Sequence, residues 1–351
     1  MITLCMIVKN EGENIKECLS KVVVFVDELI VVDTGSTDDT KSIALEFTNK
    51  VYDYDWCNDF AAARNFSISK STNDWILVLD ADEYVSEFVQ EKVYNFVNDK
   101  SNERVVGRIE RINLLEAGGA NKKCTERISR LFNKKYFQYE GTIHEQIVGK
   151  DDKVHNTVSV DITIDHAGYT KEVINKTNKL KRNMDMLTKA IEDKPNDPYL
   201  YFQLGKTYYM LKDYFISCSY FEKALIFQLD SRLEYVEDLI ETYGYALINS
   251  ERYSDAMRIE NYVDIYRNSA DFHFLLGLIY MNNAKFSQAV ESFLECTKFS
   301  HSKVEGITTY SSYYNIGVIY DVLGFREKAI EYYSMCGEYE PARNRIKARL
   351  N

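Results

Sequence analysis

The residues with the most chemistry in them fall in one short run, Asp74-Trp75-Ile76-Leu77-Val78-Leu79-Asp80-Ala81-Asp82-Glu83. Its apolar centre reads as a strand. Side chains alternate faces along a strand, so Asp80 and Asp82 at its end are expected to point the same way. Two hard carboxylate oxygens placed like that suit Mg²⁺ or Mn²⁺ carrying a diphosphate. The competing reading has one of the pair capping the next turn. A further carboxylate, Asp33, closes the earlier strand-like run Glu28 to Val32 and strengthens the first reading.

The elements that must position these groups follow from periodicity. Ile2 to Val8 reads as a buried strand, after which Ile15, Leu19 and Val22 recur at helical spacing. Glu28 to Val32 is the second strand. Ser36 followed by Asp39 is a capping-box pattern opening a helix with Ile43, Ala44 and Phe47 on its apolar face. Val51 to Tyr54 is a third strand, Asp59 an N-cap for a helix through Ser69, and Trp75 to Leu79 a fourth strand. This order predicts an α/β domain with a largely parallel sheet and a ligand crevice at the strand carboxyl ends. Val105 to Leu114, Ile128 to Asn133, Gly141 to Val148 and Val158 to Ile164 are strand-rich and expected to form a second wall of the site.

From about Lys171 the pattern becomes helical throughout, with Pro195 and Pro198 marking a joint after a basic stretch (Lys176, Lys179, Lys181, Arg182). Beyond it a unit recurs: Leu204-Gly205-Tyr208, Tyr243-Gly244-Leu247, Leu276-Gly277-Tyr280 and Ile316-Gly317-Tyr320. Each is followed by an aromatic and a small residue, and usually by another aromatic (Phe221, Phe293, Tyr333). The glycine spacing is close to the helix-turn-helix period of about 34 residues in tetratricopeptide repeats. The expected organisation is an α/β domain over 1–170, a connecting helix over 171–196 and about four all-α repeats over 197–351.

Composition narrows the function classes. Forty-three Lys and Arg against 54 Asp and Glu leave a net charge of −11 over 351 residues, which argues against binding nucleic acid or anionic lipid by charge neutralisation. Seven scattered cysteines without a C-x-x-C pair indicate neither a disulfide framework nor a thiolate zinc site. With no signal-peptide pattern and no apolar run of membrane-spanning length, a soluble chain in a reducing cytoplasm is the expectation.

Taken together, Cys5-Met6-Ile7-Val8-Lys9-Asn10-Glu11, Val31-Val32-Asp33-Thr34-Gly35-Ser36-Thr37-Asp38, Asn58-Asp59-Phe60 with Arg64-Asn65, and Leu79-Asp80-Ala81-Asp82-Glu83 resemble the successive motifs of family 2 inverting glycosyltransferases with the GT-A fold. The resemblance continues through Arg130-Leu131-Phe132, Gly141-Thr142-Ile143-His144-Glu145 and His166-Ala167-Gly168-Tyr169 into the repeats. That order is similar to the branch with tetratricopeptide repeats that includes the sublancin-type peptide S-glycosyltransferases. The resemblance implies that Val8, Asn10, Glu11 and Asp33 hold the base and ribose of a nucleotide sugar, expected to be a UDP-sugar, with Arg64 at the nucleotide. It implies that Asp80, Ala81 and Asp82 form the metal motif for Mn²⁺ or Mg²⁺, with Asp82 a direct ligand and His166 a third. A structural histidine at a strand end is the alternative for His166.

Inverting transfer needs a base on the acceptor side. Glu145, with His144 beside it, is the candidate, and on a strand only one of the two would face the acceptor. The repeats favour a peptide or protein acceptor and equally allow a homodimer. The other readings are transfer to a surface polysaccharide or lipid-linked glycan, and a nucleotide-binding repeat scaffold without turnover.

Overall fold

Strand β1 (Ile2–Val8) is buried along almost its whole length and sits inside the sheet, with β2 (Glu28–Asp33) on one side and β4 (Trp75–Val78) on the other, both parallel to it. β3 (Val51–Asp53) extends the parallel set beyond β2. Near-continuous apolar runs are what strands covered on both faces require. Leu4 and Met6 enter one core with Leu29 and Val31, while Cys5 enters a second core with Ile30 and Val32 on the opposite face. The computed structural model describes residues 1–117, 120–151, 153, 155–166 and 179–350. It divides into two units, Met1–Met186 and Leu187–Asn351, a division that falls inside the helix Lys179–Asp193.

Helices α1 (Ile15–Val22), α2 (Thr40–Leu45) and α3 (Phe60–Ser69) follow the first three strands, and α4 (Gln90–Asn98) comes later. Asp59 caps α3 as its sequence position implies, accepting the Ala62 amide at 2.8 Å. The capping box expected at Ser36 and Asp39 does not form. Ser36 Oγ instead accepts the Asn10 amide at 2.9 Å, and Asp38 takes the Thr40 amide at 3.1 Å.

The remaining strands correct one expectation. β5 (Glu83–Phe88), β6 (Val106–Ala117), β7 (Ala120–Asn133) and β10 (Thr157–His166) join the main sheet, in the order β3-β2-β1-β4-β7-β6-β10-β5. They are not a second wall, because Leu131 to Asn133 pair antiparallel with Leu77 to Trp75 and carry the sheet onward. Among the described residues only β8 (Phe137–Glu140) and β9 (Gln146–Gly149) stand apart, as a two-stranded hairpin. Residues 141–145 are its loop, so the expected strand Gly141 to Val148 is broken, with Gly141 at φ +101° and His144 at φ +51°.

The second unit is built from helix pairs: Pro198–Met210 with Tyr214–Ala224, Ala270–Asn282 with Phe286–Cys296, and Tyr310–Val322 with Arg326–Ser334. In each pair the motif glycine lies against an aromatic ring. A Cβ added to Gly205, Gly277 or Gly317 would come within 2.6 Å of Phe221, 2.6 Å of Phe293 or 2.5 Å of Tyr333. The remaining pair, opened by Glu234–Asn249, continues as the single turn Tyr253–Ala256 and a 3₁₀ stretch, Met257–Tyr262. It lacks the second motif aromatic, and Gly244 faces Leu275 of the next pair instead. Among the described residues no helix is long and apolar enough to cross a membrane.

Candidate active site

Because β1, β2, β4 and β10 run the same way, the chain leaves Val8, Asp33, Val78 and His166 at one edge of the sheet. The first two of these loops are tied together. The Thr37 amide donates to Asn10 Oδ1 at 2.8 Å, the Glu11 amide to Thr40 Oγ1 at 2.7 Å and the Gly12 amide to Asp38 Oδ2 at 3.0 Å. Asn10 sits at φ +55°, a region asparagine tolerates better than most residues. Under these loops Asp33 is buried. Its Oδ1 accepts the Gly35 and Ser36 amides at 2.8 and 2.7 Å, while Oδ2 is buried with no partner. An unpaired buried acceptor costs about 1–3 kcal/mol, more when charged, so this oxygen is open to a ligand donor.

The Val8 and Ala81 side chains lie in the apolar core, and the Val8 carbonyl accepts the Thr34 amide and hydroxyl, so a nucleotide would meet these two residues through their backbone.

Asp80 and Asp82 do not share a strand face. β4 ends at Val78, and the two residues occupy a turn in which the Asp80 amide donates to Glu83 Oε2 at 3.0 Å. A turn aims neighbours in separate directions, and here they meet different partners. Asp80 accepts from Arg64 Nη2 at 2.8 Å and from Arg130 Nη2 at 2.9 Å. Burial opposes its charge, yet Arg64 and Arg130 hold the carboxyl well below its usual range. Asp82 instead faces His166, Oδ2 to Nε2 at 3.5 Å. The register explains this meeting, since His166 pairs across the sheet with Glu83, the residue after Asp82. The expected three-ligand set is therefore not assembled: among the described residues no three His, Cys, Asp or Glu side chains group as a metal cluster.

The Asp82–His166 pair nevertheless fits a divalent cation. Asn113 donates through Nδ2 to Glu126 Oε1 at 2.5 Å, so its Oδ1 is the acceptor for His166 Nδ1–H at 2.7 Å. Nε2 is then the ring nitrogen that faces the Asp82 carboxylate, 3.5 Å away and beyond the usual N–H···O length. Two such donors, one imidazole and one carboxylate, are ordinary ligands for Mn²⁺.

Arg64 is held between carboxylates rather than standing open. Its Nε donates to Glu145 Oε1 at 2.5 Å, opposite the Asp80 contact, and Nη1 is buried without a partner. Burial works against the guanidinium, but Asp80 and Glu145 raise its pKa well above the ordinary value. Its central carbon lies 5.6 Å from the Tyr139 ring centre, a cation–π distance. The Tyr139 hydroxyl is also buried and unpartnered, and burial pushes it up to about 12. The loop carrying His144 and Glu145 is fastened to α3: the Phe60 amide donates to Thr142 O at 2.9 Å, and Asn65 exchanges bonds with the Tyr139 backbone at 2.8 and 3.0 Å.

Four residues were given no role from the sequence. Arg130 ties Asp80 to the fully buried Glu83 at 2.7 Å, Arg111 reaches the same Glu83 oxygen at 3.2 Å, and Asn113 with Glu126 backs His166. The available signal was polar residues at Arg111 and Asn113 on one face of a strand inside a sheet, where the buried Asn113 demands partners. The expected Ala167-Gly168-Tyr169 motif lies outside the described residues.

Residues 3–150 match the model described as glycosyl transferase family 2, and residues 270–300 and 310–342 match tetratricopeptide repeats. The chain carries a family 2 glycosyltransferase domain. Asp33, Arg64, Asp80, Asp82 and Glu145 all fall inside that glycosyltransferase match. Over 215 residues the chain is 35% identical to a TPR repeat-containing protein of Synechococcus elongatus, covering 58% of this chain and 51% of the relative. It is 30% identical over 229 residues to the SPbeta prophage-derived glycosyltransferase SunS of Bacillus subtilis, covering 64% and 53%. The chain thus spans about half the length of these curated relatives. Among solved structures, the TPR protein YrrB aligns with 50% of this chain and 88% of its own at 24% identity and a TM-score of 0.41.

Proposed function

We propose that this chain is a metal-dependent glycosyltransferase that moves a sugar from a nucleotide sugar, a UDP-sugar by the family expectation, onto a side chain of a peptide or protein, with inversion. The observation that carries the reading is Asp82 facing His166 at the sheet edge that also holds the unpaired Asp33 oxygen. Asp82 and His166 would hold Mn²⁺ or Mg²⁺, which supplies neutralisation of the charge that develops on the leaving diphosphate. Asp33 Oδ2 accepts a donor from the base or ribose. Arg64 and Arg130 keep Asp80 ionised and the turn in place.

In the transfer step an acceptor hydroxyl or thiol attacks the anomeric carbon, the carbon–oxygen bond to the diphosphate breaks, and the nucleoside diphosphate leaves with the electron pair. Glu145 takes the acceptor proton. Its Oε1 accepts from Arg64 Nε, which orients the carboxylate before the acceptor arrives. His144, at φ +51°, lies in the same loop and does not share a strand with Glu145. The repeat unit supports a peptide or protein acceptor, because stacked helix pairs form extended binding surfaces.

The test is release of free nucleotide from UDP-, GDP- and dTDP-sugars without acceptor, with Mn²⁺, Mg²⁺ or chelator, beside Asp82→Ala. Slow metal-dependent hydrolysis of one donor, reduced at least about 100-fold in the variant, supports the transferase reading. Absence of both hydrolysis and metal-dependent nucleotide binding would leave a repeat scaffold. Activity restored only by a membrane fraction would replace the peptide acceptor with a lipid-linked glycan.

A further inference from the structure

We propose that Asn113, locked by Glu126, is a positioning residue that fixes which nitrogen of His166 meets the metal. The inference rests on the metal reading of Asp82 and His166 given above. The geometry begins in the sheet register. β10 lies between β6 and β5, and His166 pairs with Asn113 on one side and Glu83 on the other. Across the β6–β7 ladder Arg111 stands opposite Glu126, and Asn113 opposite Cys124, so Glu126 lies diagonal to Asn113. Diagonal neighbours on one sheet face are within side-chain reach.

The chain of bonds has a direction. Glu126 Oε1 accepts from Asn113 Nδ2 at 2.5 Å, and also from Arg111 Nε and Nη2 at 3.1 and 2.9 Å. A carboxylate can only accept, so it forces the amide nitrogen of Asn113 toward itself and the amide oxygen toward His166. That oxygen, 2.7 Å from Nδ1, requires a proton there. Nε2, the atom 3.5 Å from Asp82 Oδ2, is therefore the nitrogen left to meet a metal. Without Glu126 the amide could turn over, present its NH₂ to Nδ1 and draw the proton to Nε2, where it would block a metal. Arg111 links the same network to Glu83 at 3.2 Å, the residue that accepts the amide of the Asp80 turn. Groups behind a metal-bound histidine typically contribute 10–100-fold in metal affinity.

The test uses the full chain labelled with ¹⁵N-histidine. The sequence has five histidines, and a His166→Gln spectrum identifies the one of interest. Metal-free wild type, at alkaline pH where the ring carries a single proton, should show His166 as the Nδ1–H tautomer, and Mn²⁺ with UDP should bind by electron paramagnetic resonance. Asn113→Leu should mix the tautomers and weaken Mn²⁺ about 10–100-fold. The Asn113→Asp/Glu126→Gln pair reverses the hydrogen bond but keeps an acceptor on Nδ1. It should therefore recover the tautomer and most of the affinity that Asn113→Asp alone, with two facing carboxylates, loses. Unchanged tryptophan fluorescence confirms that each variant is folded, and Asn113→Ser replaces Asn113→Leu if it is not.

An Nε2–H tautomer in wild type overturns the proposal, as does an Asn113→Leu variant with unchanged tautomer and Mn²⁺ affinity. A wild type with the Nδ1–H tautomer that takes up no Mn²⁺ overturns it at the other end. In that case the metal reading fails, not the bond chain.

Discussion

Replacing Arg130 by methionine strips one guanidinium from two carboxylates at once. A single nitrogen, Nη2, reaches Glu83 Oε1 at 2.7 Å and Asp80 Oδ2 at 2.9 Å, and the Glu83 side chain has no exposure to water. After the substitution Glu83 keeps Arg111 at 3.2 Å and the Asp80 amide at 3.0 Å, and Asp80 keeps Arg64 at 2.8 Å. Removing one partner of a buried ion pair costs about 3–5 kcal/mol, and these surviving contacts place the expectation at the lower end, about 3 kcal/mol. Both tryptophans, Trp56 and Trp75, lie in the first unit, so their fluorescence in urea follows that unit. With a slope of about 2 kcal/mol/M the midpoint should fall by about 1.5 M.

Adding Glu83→Gln should recover about half of that loss, because the fully buried Glu83 charge is then gone and only Asp80 is left short of Arg130. The pH dependence has a defined sign. Arg64 and Arg130 depress the Asp80 carboxyl, so its stabilisation is complete above the unfolded value of about 3.9 and is lost as pH falls through the folded value. The cost of Arg130→Met should therefore be full near neutrality and shrink below about pH 4. A midpoint shift under about 0.3 M at neutral pH, or an equal shift with and without Glu83→Gln, would refute the clamp.

The second unit offers two further tests, both read by circular dichroism melts. Gly277→Ala puts a methyl 2.6 Å from the Phe293 ring and should cost about 2 kcal/mol, with Phe293→Leu in the same chain recovering part of it. No loss would mean the helix pair is packed less closely than described. Lys303 lies 2.9 Å from the buried Glu241 and 3.5 Å from Glu237, and Lys303→Met should cost about 2 kcal/mol, discounted because the lysine is partly solvated. Burial pushes Glu241 up to about 8 even against the Lys303 ammonium. Stability from such a group is full below the unfolded carboxyl value and is lost as pH rises through the folded one, so the Lys303→Met loss should grow with pH and shrink in a Glu241→Gln background to what Glu237 contributes. A loss independent of pH would show that packing of the lysine stem, not charge, is at stake.

Much of the frame was written in local pattern. Apolar runs marked β1, β2 and β4, Asp59 capped α3, and the spaced glycines marked the helix pairs because each must lie against a bulky ring or a neighbouring leucine. Such features depend on residues a few places apart, and their periodicity survives in the sequence. The sheet's far side did not. Leu131 to Asn133 joining β4, and β10 lying between β6 and β5, are pairings of strands distant in sequence that leave no local mark.

The same division runs through the site. The sequence determined which carboxylates stand at the strand ends: Asp33, Asp80 and Asp82. Tertiary structure alone decided what each does. Arg64 reaches Glu145 across 81 residues of chain and Arg130 reaches Asp80 across 50, so Asp80 is claimed by arginines while Asp82 is left to His166. Residue type sets what a group can bind, but in a buried site a charge is governed by whichever partners the fold brings within about 3 Å, and that distance exists only once the strands are paired.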